Sequence, residues 1–273
     1  MQTETLAWKI RKDVLNMTHE AHASHIGSML SCTDIIAVLY GEVANITPQN
    51  YMDDERDRVV LSKGHSGAAV YAALAEMGFF PREELKEYGK NGSKYSCHIS
   101  HKGVNGVELT TGSLGHGACV AAGMALNGKL NNKKYNVYSI IGDGECDEGS
   151  IWEMALMCSH YRLDNYTVII DRNNMQAMGL CDEIMNTNPL DSKWKDFGWE
   201  VIVVPDGNNH DLLRDAFGRT RIGLPRVIIA NTIKGKGVSF MENELLWHYR
   251  DPQGELFEKA IRELEDSKPC GIE

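Results

Sequence analysis

NVYSIIGDGECDEGSIWEMALMCSHYRLDNYTVIIDRNNM, residues 136–175, decides the fold. A short β-branched run ends in Gly142-Asp143-Gly144, a helical segment follows, and a second such run, Thr167 to Ile170, ends in Asp171-Arg172-Asn173-Asn174. A crossover of this length makes the two strands parallel, with their carboxyl ends on one edge of a sheet. Asp143 and Asn173 therefore converge. One carboxylate, one amide oxygen and a nearby carbonyl are too few for a caged Ca²⁺ but suit Mg²⁺, which completes its octahedron with water and substrate phosphates. The remaining ligands are expected from a diphosphate. Gly144 lets the backbone approach it closely, and the next helix turns its free N–H groups toward the same anion.

The rest of the chain supports an α/β reading. Thr3 to Ala23 has Leu6, Ile10, Val14 and Met17 at helical spacing. A break at Ser24-His25-Ile26-Gly27-Ser28 precedes a second helix, roughly Cys32 to Tyr40. Val59 to Leu61 reads as a strand. Lys63-Gly64-His65 then leads into an Ala-rich helix, Ala68 to Glu76, a turn that favours an anion. Tyr88 to Thr111 is a long aperiodic loop carrying Cys97, His98 and His101, of the length that is usually functional. Thr111-Gly112-Ser113-Leu114-Gly115 opens a small-residue helix, Ala118 to Leu126, against which something must pack closely. Gly123 to Lys129 nearly matches a phosphate-binding P-loop, but Leu130 stands where Ser or Thr is required and no strand precedes it. Glu200 to Val204 and Arg226 to Ala230 complete five strands alternating with helices; a helix from about His210 to Thr220 joins them, and a charged one begins near Glu255. Lys234 lies just past the last strand end. With no linker or repeat in between, residues 1–273 read as one doubly wound, mostly parallel domain with helices on both faces.

Composition narrows the function. A formal charge of -10 argues against nucleic acid, so anions must be held locally. No stretch approaches the roughly 20 apolar residues of a membrane helix, and the N-terminus lacks the apolar core of a signal peptide. Seven cysteines without a CxxC pair fit reduced thiols, and the expected compartment is the cytoplasm.

Taken together, His25 in SHIGS, Lys63-Gly64-His65, Gly112-Ser113-Leu114, Gly142-Asp143-Gly144, Asn173-Asn174 and Lys234…Trp247-His248 resemble, in order and spacing, the N-terminal section of transketolases. The resemblance is closest to the short proteins that carry only this half. It implies thiamine diphosphate and Mg²⁺ as cofactors, with Asp143, Asn173 and the carbonyl of Met175 on the metal. His65, Lys234 and Gly144 would contact the diphosphate, with Lys63 adding charge. Ser28 and Gly112-Ser113-Leu114 would line the cofactor, and His25, His98 and His248 would surround its reactive carbon and the donor. Glu148 and Glu153 match acids at the family's dimer interface. The implied activity is transfer of a two-carbon ketol unit from a ketose, as its phosphate, to an aldose. Transketolases activate the cofactor with a Glu from a pyrimidine-binding domain of the other protomer. That domain is expected on a separate C-terminal subunit, most simply in an α₂β₂ assembly. Ile26, Cys97, Ile99 and His116 depart from the family's usual residues and bear on the donor pocket rather than the cofactor. The competing readings are transfer to a carrier or specialised acceptor, a related thiamine decarboxylase or dehydrogenase, and a non-catalytic binding partner. A dinucleotide-binding protein is disfavoured because no GxGxxG follows the first strand.

Overall fold

The β-branched runs assemble into a single sheet. In the computed structural model, which describes residues 1–271, β1 (Arg58–Leu61), β2 (Val137–Gly142), β3 (Tyr166–Arg172), β4 (Glu200–Val204) and β5 (Arg226–Asn231) lie in the order β1-β2-β3-β5-β4, and every neighbouring pair is parallel. Successive side chains alternate between faces, and both faces are apolar. Tyr138, Ile140, Ile169 and Ile228 point to one layer; Val137, Ile141, Val168, Ile170, Val227 and Ile229 point to the other.

Among the described residues there are ten α-helices, all but α7 packed on these faces: α1 (Thr3–Ala21), α2 (Ile26–Ser31), α3 (Thr33–Val38), α4 (Gly67–Glu76), α5 (His116–Leu130), α6 (Gly149–His160), α7 (Cys181–Ile184), α8 (Leu190–Asp196), α9 (His210–Gly218) and α10 (Glu255–Asp266). The cores of α1 to α4, α9 and α10 join the first layer, and those of α5, α6 and α8 join the second. Sheets buried on both faces read as near-continuous hydrophobic runs, as β2 and β3 do. The expected doubly wound α/β architecture is the one observed.

Three local expectations need correction. The helix expected over Cys32 to Tyr40 is α3 continued by a wide π turn, Leu39–Val43, and the expected break at Ser24 to Ser28 gives way at Ile26 to a further short helix, α2. The small-residue helix is longer than expected, so the near P-loop lies inside α5. There Gly128 serves packing: a Cβ would lie 2.8 Å from the Tyr135 ring. Gly117 does the same at the other end, where a Cβ would come within 2.7 Å of the Ser62 Cα, so the partner at close range is β1 and the turn after it. Helix α8 was not expected; seven residues are too few for a clear period, and two buried residues, Leu190 and Trp194, anchor it.

Candidate active site

Register brings the site together. Gly142 pairs with Asp171 across β2 and β3, so the residues just beyond each strand meet on the carboxyl edge. The Asp143 carboxylate accepts the N–H of Gly144 at 2.9 Å and of Asn174 at 2.6 Å, tying the two strand ends. Asn174 has φ 61, the left-handed region that Asn tolerates better than most residues. Asn173 donates its amide NH₂ to Ser31 Oγ at 3.1 Å and Asp171 Oδ2 at 3.4 Å, while its Oδ1 accepts only the Met175 N–H at 3.1 Å. Asp143, Asn173 and Met175 share one wall of a cleft of about 180 Å³, whose other lining includes Ser28, Lys63, His65, Leu114, Gly144 and His248.

Burial sets the electrostatics. The Asp143 carboxyl is pushed up to about 6, first by burial and then by the nearby charge of Asp171. A carboxylate so placed is one a divalent cation would stabilise. Among the described residues no three His, Cys, Asp or Glu side chains form a self-sufficient metal cage. An all-oxygen set of one carboxylate, one amide and one carbonyl fits Mg²⁺ shared with phosphates. Burial alone would lower the Lys63 ammonium, but Asp171 holds it above its ordinary value. Burial, then the charge of Lys63, lowers Lys234 to about 8. The Lys234 Nζ lies 3.0 Å from the Gln176 carbonyl, 3.3 Å from that of Met175 and 3.3 Å from His248 Nδ1.

Four histidines gather beside this wall. His25 precedes α2 with φ 75, an uncommon conformation for a non-glycine residue that often marks a functional position, and its N–H donates to the His248 carbonyl at 2.8 Å. The His25 ring centroid lies 4.8 Å from that of His248, 5.1 Å from His65 and 5.8 Å from His98. The long loop delivers His98 by hydrogen bonding: Ile99 N–H donates to the Gly64 carbonyl at 3.0 Å, and Thr111 Oγ1 donates to the Leu61 carbonyl at 2.6 Å. Burial, reinforced by His98, lowers His25 to about 4; burial, reinforced by Lys234, lowers His248 to about 3. Burial and Lys63 carry His65 well below its ordinary range. These three rings are neutral at pH 7, each with one donor and one acceptor nitrogen. His25 Nδ1 is buried without a protein partner, a polar atom left for a ligand to satisfy.

The remaining sequence-selected residues divide. Leu114 reaches the cleft, whereas Gly112 and Ser113 are exposed outside its lining. Lys63 lines the cleft, but its ammonium pairs with Asp171 and donates to the Ser28 carbonyl at 3.2 Å. Its charge is thus neutralised within the protein, unlike that of Lys234. Glu148 and Glu153 are exposed at the start and on the outer side of α6. Sequence reasoning missed two supporting acids. Asp171, fully buried, gathers Ser31, Thr232, Lys63 and Asn173. Glu145 joins Ser62 to the N–H groups of Gly115 and Gly142. A lysine directly after an apolar strand was the available signal for Asp171, since a buried ammonium needs a counter-ion.

Sheet order, strand-end cleft and histidine cluster together define a diphosphate-binding α/β domain. Residues 2–253 match the family described as transketolase, thiamine diphosphate binding domain. The chain is 38% identical to an apulose-4-phosphate transketolase subunit of Phocaeicola vulgatus over 97% of this chain and 96% of that protein. It is 42% identical to a 6-deoxy-6-sulfo-D-fructose transketolase subunit of Clostridium sp. over 94% of each. The crystal structure of transketolase from Campylobacter jejuni superposes with a TM-score of 0.89 at 28% identity, covering 96% of this chain and 42% of that one. The chain belongs to the transketolase family, as its thiamine diphosphate binding domain.

Proposed function

We propose that the chain is the diphosphate-binding subunit of a two-chain transketolase that moves a two-carbon ketol unit from a ketose phosphate to an aldose. The observation that carries this reading is the meeting of His65 and His248, with the His25 ring packed against both, and the oxygen wall of Asp143 and Asn173 at a single strand-end cleft. Asp143, Asn173 and the Met175 carbonyl would hold Mg²⁺. Lys234, His65 and the backbone at Gly144 would hold the diphosphate, with Ser28 and Gly112-Ser113-Leu114 along the cofactor. When bound, thiamine diphosphate supplies the electron sink that carries the two-carbon fragment between donor and acceptor. The protein's part is orientation and proton transfer. A neutral imidazole donates from one nitrogen and accepts at the other, so His25 and His248 can each bind a substrate hydroxyl or take its proton without placing a fixed charge beside it, and His98 adds a third ring beside them. Retention of Asp143, Asn173 and all four histidines supports catalysis over a purely structural role.

A second, pyrimidine-binding polypeptide completes the enzyme and supplies the activating Glu. Two observations support this: the Phocaeicola vulgatus and Clostridium relatives, matched over nearly their whole length, are named as subunits, and the segment following the cleft residue Ala177 exposes Met178, Leu180, Ile184 and Met185, apolar surface of the kind that marks an interaction site. Exposed Val120 and Leu156 on α5 and α6, beside Glu148 and Glu153, support contact with a second copy, hence α₂β₂. No described helix is long and apolar enough to cross a membrane, and the seven free cysteines support residence in the reducing cytoplasm. Co-expression with the candidate partner tests the reading. The pair should consume a ketose phosphate and release the shortened aldose when Mg²⁺ and cofactor are present. Turnover by this chain alone, or silence of the pair on every ketose, would reject it.

A further inference from the structure

Lys234 is held in place by side chains that never reach the cleft. The chain enters Lys234 at Ile233, whose N–H donates to Asn208 Oδ1 at 2.9 Å. It leaves past Lys236, whose carbonyl accepts from Arg11 Nε at 3.0 Å. Both holders converge on one carboxylate. Asn208 Nδ2 donates to Asp34 Oδ2 at 2.8 Å, and Arg11 grips Asp34 with both terminal nitrogens, at 3.1 and 2.6 Å. His210 Nε2 lies 3.0 Å from the same group. Asp34 is 3% exposed and Arg11 9%.

The Lys234 stem is guided as well. It passes α2, where a Cβ on Gly27 would meet its Cγ at 3.3 Å, and the Gly235 N–H donates to the Gly27 carbonyl at 2.9 Å. Gly235 itself has φ 81, and a Cβ there would lie 2.2 Å from the Met241 carbonyl oxygen. The backbone on either side of Lys234 is therefore bonded to two of the partners of one buried acid, and its ammonium end rests on the carbonyls of Met175 and Gln176 at the cleft wall. A buried charge pair with this many bonds is weak evidence for stability in itself, since desolvation offsets much of the attraction. Its distinctive feature is which segment the outer bonds hold.

We infer that Asp34, acting through Arg11 and Asn208, is a positioning residue for Lys234 and sets where that ammonium meets the diphosphate. The inference rests on the reading of Lys234 as a phosphate contact. Asp34 lies at the hub because its two oxygens orient both holders at once; Asn208 turns its amide NH₂ toward the carboxylate and so presents Oδ1 to the Ile233 N–H. Loss of either holder frees one end of a loop whose lysine has a flexible four-carbon stem.

The test is a double-mutant cycle read by calorimetry, with Mg²⁺ and inorganic pyrophosphate titrated into the chain. Asn208 is half-buried, so Asn208→Ala should keep the fold, which thermal melting checks; Arg11→Lys, which removes the bond to the Lys236 carbonyl, replaces it in the cycle if it does not. Asn208→Ala should weaken pyrophosphate about tenfold in the wild-type background and not at all in the Lys234→Ala background, because its effect passes through that lysine. Equal weakening in both backgrounds, as a general loosening would give, overturns the inference, as does unchanged affinity in Asn208→Ala. If the wild-type chain binds no pyrophosphate, the phosphate reading of the cleft fails and the positioning role fails with it. If wild type binds and Lys234→Ala binds equally well, only the role given to Lys234 and its holders is lost.

Discussion

Replacing Asp143 with Asn should stabilise the cofactor-free chain while abolishing its cofactor site. The carboxyl is moved from its ordinary 3.8 to about 6, by burial first and Asp171 second. Holding it ionised at pH 8 therefore costs the fold about 3 kcal/mol. The sign follows from the raised value: the unfolded chain ionises more readily, so the penalty is full above about pH 6 and fades as pH falls toward 3.8, with about half left at pH 5. An Asn side chain removes the charge but can accept only one of the two N–H bonds from Gly144 and Asn174, a loss of about 1 kcal/mol. Asp143→Asn should then be more stable than wild type by about 2 kcal/mol at pH 8 and by under about 1 kcal/mol at pH 5. Denaturant unfolding in a metal chelator, with both proteins at both pH values, measures this difference and cancels the titration of other groups. Adding Mg²⁺ and pyrophosphate should reverse the order at pH 8, since the ion stabilises only the carboxylate. A variant less stable than wild type at pH 8, or a difference independent of pH, would refute the argument. So would undiminished metal-dependent binding by the variant.

Other consequences can be measured separately. His248→Ala should lower turnover of the reconstituted pair by about 10²- to 10⁴-fold while changing the cofactor KM much less; the opposite split would reassign it to binding. With His25 lowered to about 4 and His248 to about 3, the stability tied to their neutral forms is present above about pH 6.5 and is lost as pH falls toward 4 and 3. A His25→Gln, His248→Gln double variant should therefore lose less stability than wild type between pH 7 and pH 4.5 in denaturant titrations. Gly64→Ala places a Cβ 2.2 Å from the Thr111 carbonyl oxygen, which the two segments can relieve only by separating. It should cost about 1 to 3 kcal/mol and reduce turnover by shifting His98. Leu156→Asp, on the exposed face of α6, should shift the assembled enzyme toward smaller species in light scattering without unfolding the chain.

Residue type made some of this site legible and hid the rest. Gly142-Asp143-Gly144 and Asn173-Asn174 could be read because parallel strands joined by one helix bring their ends to a common edge, and that topology follows from spacing. The histidines were legible as residues, but the neutrality of His25, His65 and His248 was not. It arises from mutual proximity and burial, and the 4.8 Å approach of His25 to His248 joins positions far apart in the chain. Lys63 shows the same gap from the other side. Beside His65 it reads as an added positive charge for an anion; in the fold it faces Asp171, a partner 108 positions away. Helix boundaries drifted where packing or tertiary bonds, rather than periodicity, decided them: α5 runs through Gly128 to Leu130, and α2 starts directly after His25.

The charge arrangement explains why two lysines should act differently, Lys63 in the cleft lining and Lys234 just behind the Met175 and Gln176 backbone. Lys63 and Asp171 neutralise each other in full burial, and Asp171 in the same act turns the Asn173 amide so that its oxygen stays free of the NH₂ donors. The charges left without an ionic partner include the Asp143 carboxylate, driven toward protonation, and the Lys234 ammonium, lowered to about 8. Each is destabilised in the direction that a magnesium diphosphate would correct: the cation lowers the acid, and the phosphates raise the base. A site built only for structure would pair these two with each other, as it pairs Lys63 with Asp171. Instead Asp143 takes backbone N–H groups, and Lys234 rests on the carbonyls of Met175 and Gln176. The specific consequence is that Lys63→Met should damage metal binding through Asp171 and Asn173, whereas Lys234→Met should damage phosphate binding and leave Mn²⁺ binding, followed by electron paramagnetic resonance, nearly intact. Equal loss of Mn²⁺ in both variants would mean that the two lysines serve one undivided field.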